Sequence, residues 1–244
     1  MIVFIVPLKS PKLSNSWLNT SHLFERTLRS ICGQTSDQFR VIVVCNERPI
    51  TQFDSPFVEY VQVDLPVPRD KWQEKEEDKL KKLMIGAKFS EKFNPSYTMA
   101  VDADDFISNK IASFVSGKPK QTGYFLNTGY VHEFGSNLLY YLRKDFGLYC
   151  GVSIIIKFNL FELIFENSIY EHKGSTLITH GVILENLPFC GAIYNTCNGE
   201  NSVAVRNFSQ SLCPKGDYIA YIKHLFRFRP ITAQIKKEYG FYIE

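Results

Sequence analysis

The sequence predicts an α/β protein: a Rossmann-like mixed, mostly parallel sheet flanked by helices. Three observations carry that reading. Residues 2–6 (IVFIV), and 40–45 (RVIVVC) after its leading arginine, are unbroken apolar runs, as expected of strands covered on both faces. Phe24, Leu28 and Ile31, and later Leu80, Leu83, Met84 and Ala87, repeat at helical spacing between such runs. A further apolar run, residues 97–101 (YTMAV), ends directly in Asp102-Ala103-Asp104-Asp105.

In chain order, the first strand ends at Pro7, and a polar loop follows over residues 9–20. Asn19, Thr20 and Ser21 are candidate caps of the first helix, which Gly33 ends. Residues 40–45 are the second strand, and residues 58–63, which alternate, are the third. Residues 70–90 form a helix on which Lys75, Lys79 and Lys82 share a stripe beside the apolar one, a pattern that a solvated face would also produce. After residue 105 the pattern loosens. Strands are expected at 124–131, 149–156 and around 192–194, and helices at 158–167, 175–186 and 217–228, the last stopped by Pro230. No repeat or linker divides the chain, so one domain spans 1–244, with a first half at 1–110, a second at 111–215 and a helical tail at 216–244.

At 244 residues the chain can bury an ample core without staples, and 45% apolar with 22% charged residues excludes disorder and coiled coil. A formal charge of +3 gives no reason to expect a nucleic-acid partner. The apolar start lacks the basic flank and length of a secretory signal, and no run approaches the ~18 apolar residues of a membrane helix. The six cysteines include no CxxC pair and read as reduced thiols, which points to the cytoplasm.

The acidic cluster is the most informative feature. In an open α/β sheet, ligands bind beyond the carboxyl ends of the strands. Two carboxylates in D-x-D spacing at such an end repel each other, and a divalent cation relieves that repulsion. Hard oxygen ligands suit Mg²⁺ or Mn²⁺, which keep open positions for phosphates. The ligand implied is therefore a phosphate ester, most simply a diphosphate. A polar turn capping the next helix is the alternative. An EF-hand is excluded, because no Gly or Glu stands where that loop needs it.

Three stretches resemble inverting, nucleotide-sugar-dependent glycosyltransferases of the GT-A (nucleotide-diphospho-sugar transferase) fold, close to family 2. They are Phe4-Ile-Val-Pro-Leu8 with LFERTLRSI (23–31), Gln34-Thr35 and FRVIVV (39–44); then YTMAVDADDF (97–106); then, more weakly, residues 151–194. The resemblance makes 1–110 the nucleotide-sugar-binding half and 111–215 the acceptor half. It implies that Pro7, Leu8 and Lys9 line the nucleobase pocket and that Asn46, where the family usually has an acid, reads the base. Asp102 would contact ribose or donor sugar, with Ala103 beside it. Asp104 would ligate a Mn²⁺ or Mg²⁺ bridging the diphosphate, with Asp102 near the same ion and Asp105 in support. Lys79 would reach the donor phosphates.

Where the family has a Glu-Asp pair carrying the catalytic base, this chain has Glu171-His172. His172 is then the base, since imidazole is competent near neutral pH, or else a third metal ligand. Glu171 is the alternative base and His180 a weaker candidate. The loop 195–202 (NTCNGENS) could close over a bound nucleotide sugar, with Asn198, Glu200 and Asn201 as contacts.

The activity implied is transfer of a sugar, with inversion, from a nucleoside diphosphate sugar (a UDP-sugar first) to a hydroxyl of a glycan or lipid-linked acceptor, in surface polysaccharide synthesis. The aromatic and basic residues 218–242 could touch an anionic membrane. The competing readings are a catalytically degenerate sugar-nucleotide-binding scaffold and a Mg²⁺-dependent phosphatase of the haloacid dehalogenase type. The phosphatase places its acidic motif after the first strand, unlike this chain.

Overall fold

The computed structural model describes residues 1–118, 121–151, 153–164, 181–201, 222 and 224–241. In chain order the strands and helices are β1 (Ile2–Pro7), α1 (Trp17–Cys32), β2 (Phe39–Cys45), β3 (Val58–Gln62), α2 (Trp72–Ser90), β4 (Tyr97–Ala100), β5 (Phe106–Ile107), α3 (Ile111–Ser116), β6 (Gly123–Phe125), β7 (Gly129–Glu133), β8 (Leu138–Leu142), β9 (Ile154–Lys157), β10 (Glu185–Asn186), β11 (Ala192–Thr196), β12 (Phe228–Pro230) and α4 (Ala233–Tyr239).

Among the described residues one sheet has the order β10-β6-β9-β4-β1-β2-β3. Strands β3, β2, β1 and β4 run parallel, β9 is reversed between β4 and β6, and β10 returns parallel to β6. This mixed, mostly parallel sheet flanked by helices is the GT-A-like architecture that the resemblance implied. A second sheet, β12-β8-β7-β11-β5, is antiparallel except where β7 pairs with β11.

The apolar run of β1 is explained by its position at the sheet centre. Ile2, Phe4 and Val6 face a core shared with Phe24, Leu28 and Ile31 of α1 and Ile111 and Val115 of α3. Val3 and Ile5 face the other side, against Leu83 and Ala87 of α2. Every residue of β1 is buried, so alternation has no solvent face to mark. Ser16 caps α1 by accepting from the Asn19 amide, upstream of the caps expected.

The packed face of α2 is rotated from the one the sequence suggested. Leu83 and Ala87 are buried as expected, but Leu80 and Met84 are only half-buried, and Lys82, Gly86 and Ser90 take the inner positions. Gly86 permits this, because a Cβ there would stand 2.5 Å from Ile5 Cγ2 and 3.1 Å from Val44 Cγ2. The lysine stripe is consequently drawn against the sheet edge and is not a solvated face.

The second half differs more from expectation. The strand expected at 124–131 is two strands, β6 and β7, in different sheets. Of 149–156 only the end is extended, as β9. Residues 158–164 form two short 3-10 turns, Phe158–Leu160 and Glu162–Ile164, in place of a helix. Glu185 and Asn186 pair with β6 as strand, and residues 175–180 lie outside the described set. Within 217–228, residues 222, 224 and 225 are helical, and Phe228 already belongs to β12. Past Pro230, which does not end the structure, α4 leads to Phe241; Tyr239 and Phe241 are buried against Phe106, Leu139 and Ile193.

Gly86→Ala is expected to lower stability by about 1–3 kcal/mol, since overpacking against two fixed strands outweighs the gain in helix propensity. Urea unfolding measures it, and an unchanged or raised midpoint would contradict the packing described.

Candidate active site

The carboxyl ends of β1 and β4 open into a cavity of about 1130 Å³. Pro7, Leu8 and Lys9 leave β1 into its wall, Asp102, Ala103 and Asp104 leave β4, and Lys75, Lys79 and Lys82 enter it from α2. Eight of the residues expected at a nucleotide-sugar site were Pro7, Leu8, Lys9, Asn46, Lys79, Asp102, Ala103 and Asp104, and the fold gathers all but Asn46 around this space. Asn46 sits after β2 and its Nδ2 donates to the Leu65 carbonyl at 3.0 Å, tying the ends of the strand layer together. Glu171, His172 and His180 lie outside the described residues.

The three aspartates have different surroundings. Asp105 is fully buried; its Oδ1 accepts from the Asn195 amide at 2.9 Å and its Oδ2 from the Cys150 thiol at 3.2 Å. Asp104 Oδ2 accepts from Asn198 Nδ2 at 2.7 Å and Asn201 Nδ2 at 3.0 Å. Asp102 forms an ion pair with Lys79 at the cavity wall. Gly151 is pressed against that pair, since a Cβ there would lie 2.7 Å from Asp102 Oδ2 and 3.2 Å from Lys79 Nζ.

Charge is under-compensated in this corner. Burial, then the neighbouring Asp102, push the Asp104 carboxyl up to about 6, against the opposing Asn198 bond and the more distant Lys79 and Lys9. Burial, then Asp104 and Asp102, push Asp105 well above the ordinary carboxylate range. Burial opposes the charge on Lys79, but Asp102 and Glu76 together outweigh it and hold the ammonium above its usual value. Two hard carboxylates facing a cavity, Asp102 on a single ammonium and Asp104 on neutral amides, fit a divalent cation. Among the described residues no set of three His, Cys, Asp or Glu side chains is arranged to hold a metal ion; Asp102 and Asp104 are the two carboxylates that line the cavity at the end of β4.

Two further groups complete the walls. Lys82, 1% exposed, donates from Nζ to the Leu8 carbonyl at 2.9 Å and to Asp78 at 2.7 Å, fixing the loop after β1 to α2. Lys9 lines the cavity while paired with Glu200 at 2.5 Å. The Glu200 carboxylate also accepts from the Asn15 and Ser16 amides at 3.1 and 2.7 Å, ahead of α1. Asn198 and Asn201, weighed as contacts of a closing loop, instead hold Asp104 and the Asn195 carbonyl. Asn195 also meets Nδ1 of the buried His132 at 2.8 Å. The sequence signal for this network was the Asn195-x-x-Asn198-x-x-Asn201 spacing, read as a loop over the bound donor and not as a support for Asp104. Cys150 carried no signal.

No family model and no curated protein matches the sequence. Solved structures do. The chain is similar to residues 1–349 of S. aureus TarS, with 12% identity, a TM-score of 0.49 and 80% of this chain covered. It is similar to the longer S. aureus TarS at 13% identity and a TM-score of 0.44, again over 80% of this chain. It is also similar to a chain assigned as a nucleotide-diphospho-sugar transferase from Desulfovibrio desulfuricans G20, with 8% identity, a TM-score of 0.43 and coverage of 91% of this chain and 92% of that one. The chain spans 60% of the shorter TarS chain and 36% of the longer. The fold assignment rests on the chain's own strand order.

Because the folded Asp104 carboxyl titrates near 6 against an ordinary 3.8, the native state holds the extra proton. Without a cation, its contribution to stability is present below about pH 4 and is lost as pH rises through about 6. Asp104→Asn, which keeps an acceptor for both amides, is expected to gain stability relative to the parent across that window in chelator. Urea unfolding at several pH values measures this, and a pH-independent difference would contradict it.

Proposed function

We propose that the protein is an inverting glycosyltransferase that takes a nucleoside diphosphate sugar, a UDP-sugar first, as donor. The observation that carries the proposal is the acidic D-x-D turn at the end of β4, facing a cavity that the lysines of α2 also line.

In this reading Asp104, with Asp102, would hold Mn²⁺ or Mg²⁺, which when bound neutralises the diphosphate and stabilises it as a leaving group. Asp104 is oriented for that role by two amides on one oxygen. Lys79, paired with Asp102 in the free protein, would turn to the donor phosphate once a cation shares the charge of Asp102. An acceptor hydroxyl attacks the anomeric carbon as the bond to the diphosphate breaks. Its proton passes to a base at Glu171-His172, and the anomeric configuration inverts. A hydroxyl of a glycan in surface polysaccharide assembly is the acceptor.

Thermal shift with UDP-sugars and Mn²⁺ tests the donor half. The parent protein should melt higher with both present and little higher with either alone, and Asp104→Ala should lose the effect. A panel of nucleoside diphosphate sugars that leaves the parent's melting point unmoved would sink the proposal. Release of nucleoside diphosphate from the active donor should fall about 100-fold or more in the same variant.

His172→Ala is expected to lower turnover at least about 100-fold while the donor-induced thermal shift is kept, if the base lies there. A loss of donor and metal binding in that variant would make His172 a ligand instead of a base.

A further inference from the structure

The mouth of the cavity is built differently from its floor. Trp72, Leu148 and Tyr149 line it while remaining 44%, 59% and 48% exposed. Scattered apolar side chains on a surface need no explanation, but three on one cavity rim mark a binding surface.

Two walls bring them there. Trp72 opens α2, and the helix then presents Lys75, Lys79 and Lys82 to the same cavity. At helical rise, Trp72 lies roughly 10 Å along the axis from Lys79, the residue paired with Asp102. Leu148 and Tyr149 end the turn that precedes Cys150 and Gly151, which touch Asp105 and the Lys79–Asp102 pair. Both walls therefore converge on the acidic corner and carry their apolar groups outward from it. The cavity, about 1130 Å³, also exceeds the ~300–1,000 Å³ usual for one small ligand, which leaves room for a second substrate.

The chemistry of the rim selects its occupant. Asp70, Lys75 and Glu76 stand among the apolar side chains, with Lys75 paired to Asp70 at 2.5 Å. A lipid chain laid there would strip water from these charges without replacing its hydrogen bonds. A pyranose ring suits both kinds of group. Its C–H faces, positively polarised, pack on the negative faces of aromatic rings, and its hydroxyl edges bond to carboxylates and ammonium groups.

We propose that Trp72, Leu148 and Tyr149 form a carbohydrate subsite that holds sugar rings of the acceptor. This rests on the transferase reading for the role of the bound glycan, though not for its binding. The acceptor is then recognised through its glycan and not through a lipid.

A printed oligosaccharide array, probed with the labelled full chain, tests the subsite. The parent should retain a subset of glycans. The double variant Trp72→Ala/Tyr149→Ala should lose about tenfold or more in binding to that subset. Its melting shift with UDP-sugar and Mn²⁺ should match the parent's, which shows both that it folds and that the sugar lost is the acceptor's and not the donor's. Failure of the parent to bind any glycan, or equal binding by the variant, would overturn the subsite. So would binding of the parent to phosphatidylglycerol vesicles, in place of glycans, through the same two side chains. If glycans bind and no nucleotide sugar shifts the parent, the transferase reading fails while the subsite stands.

Discussion

The structure around the end of β4 is a response to one constraint: three carboxylates within four residues, Asp105 buried and Asp102 and Asp104 half-buried at the cavity. Charges of one sign so close cannot all be stabilised by burial, and the fold answers each differently. Asp102 is given an ammonium, Asp104 two side-chain amides, and Asp105 a backbone amide and a thiol. None of the neutral donors cancels charge, so Asp104 and Asp105 still hold protons above the ordinary range. A cation bound there would relieve that imbalance.

The rest of the molecule keeps that corner in place. Burial of β1 on both faces fixes the strand from which Pro7, Leu8 and Lys9 emerge, and β4 is locked beside it. Gly86 lets α2 approach closely enough for Lys82 to bond the Leu8 carbonyl and for Lys79 to reach Asp102. From the other side, β11 delivers Asn195, and the loop after it delivers Asn198, Glu200 and Asn201. Glu200 joins this loop to Lys9 and to the start of α1, so the acid corner, the first strand and the first helix are one connected polar assembly.

Much of the first half was legible because its signals are local and strong. Both-face burial writes continuous apolar runs, as in residues 40–45, and a D-x-D after such a run can lie only at a strand end. The orientation of α2 was not legible: Leu80 and Met84 are as apolar as Leu83, and what turns the helix is a glycine meeting Ile5 and Val44, a tertiary contact. Among the described residues the second half is mostly strands of two to five residues, 3-10 turns and helices of six or seven residues, too short for periodicity to separate helix from strand. Asn46 and Lys9 carry suitable chemistry at the expected strand ends, but their partners, Leu65 and Glu200, are 19 and 191 residues away and invisible to spacing. No helix among the described residues is long and apolar enough to cross a membrane, and within the aromatic, basic segment 218–242 Tyr239 and Phe241 are buried against Phe106, Leu139 and Ile193.

The central claim is that the carboxylates at the end of β4 gather a cation that holds a diphosphate. Anomalous diffraction at the manganese edge, from crystals grown with MnCl₂ and UDP, tests it most directly. The account predicts a peak bonded to the Asp104 carboxylate and to diphosphate oxygens, with the Lys79 ammonium turned towards phosphate. An empty corner, with Lys79 still on Asp102 and the nucleotide bound elsewhere, would contradict it.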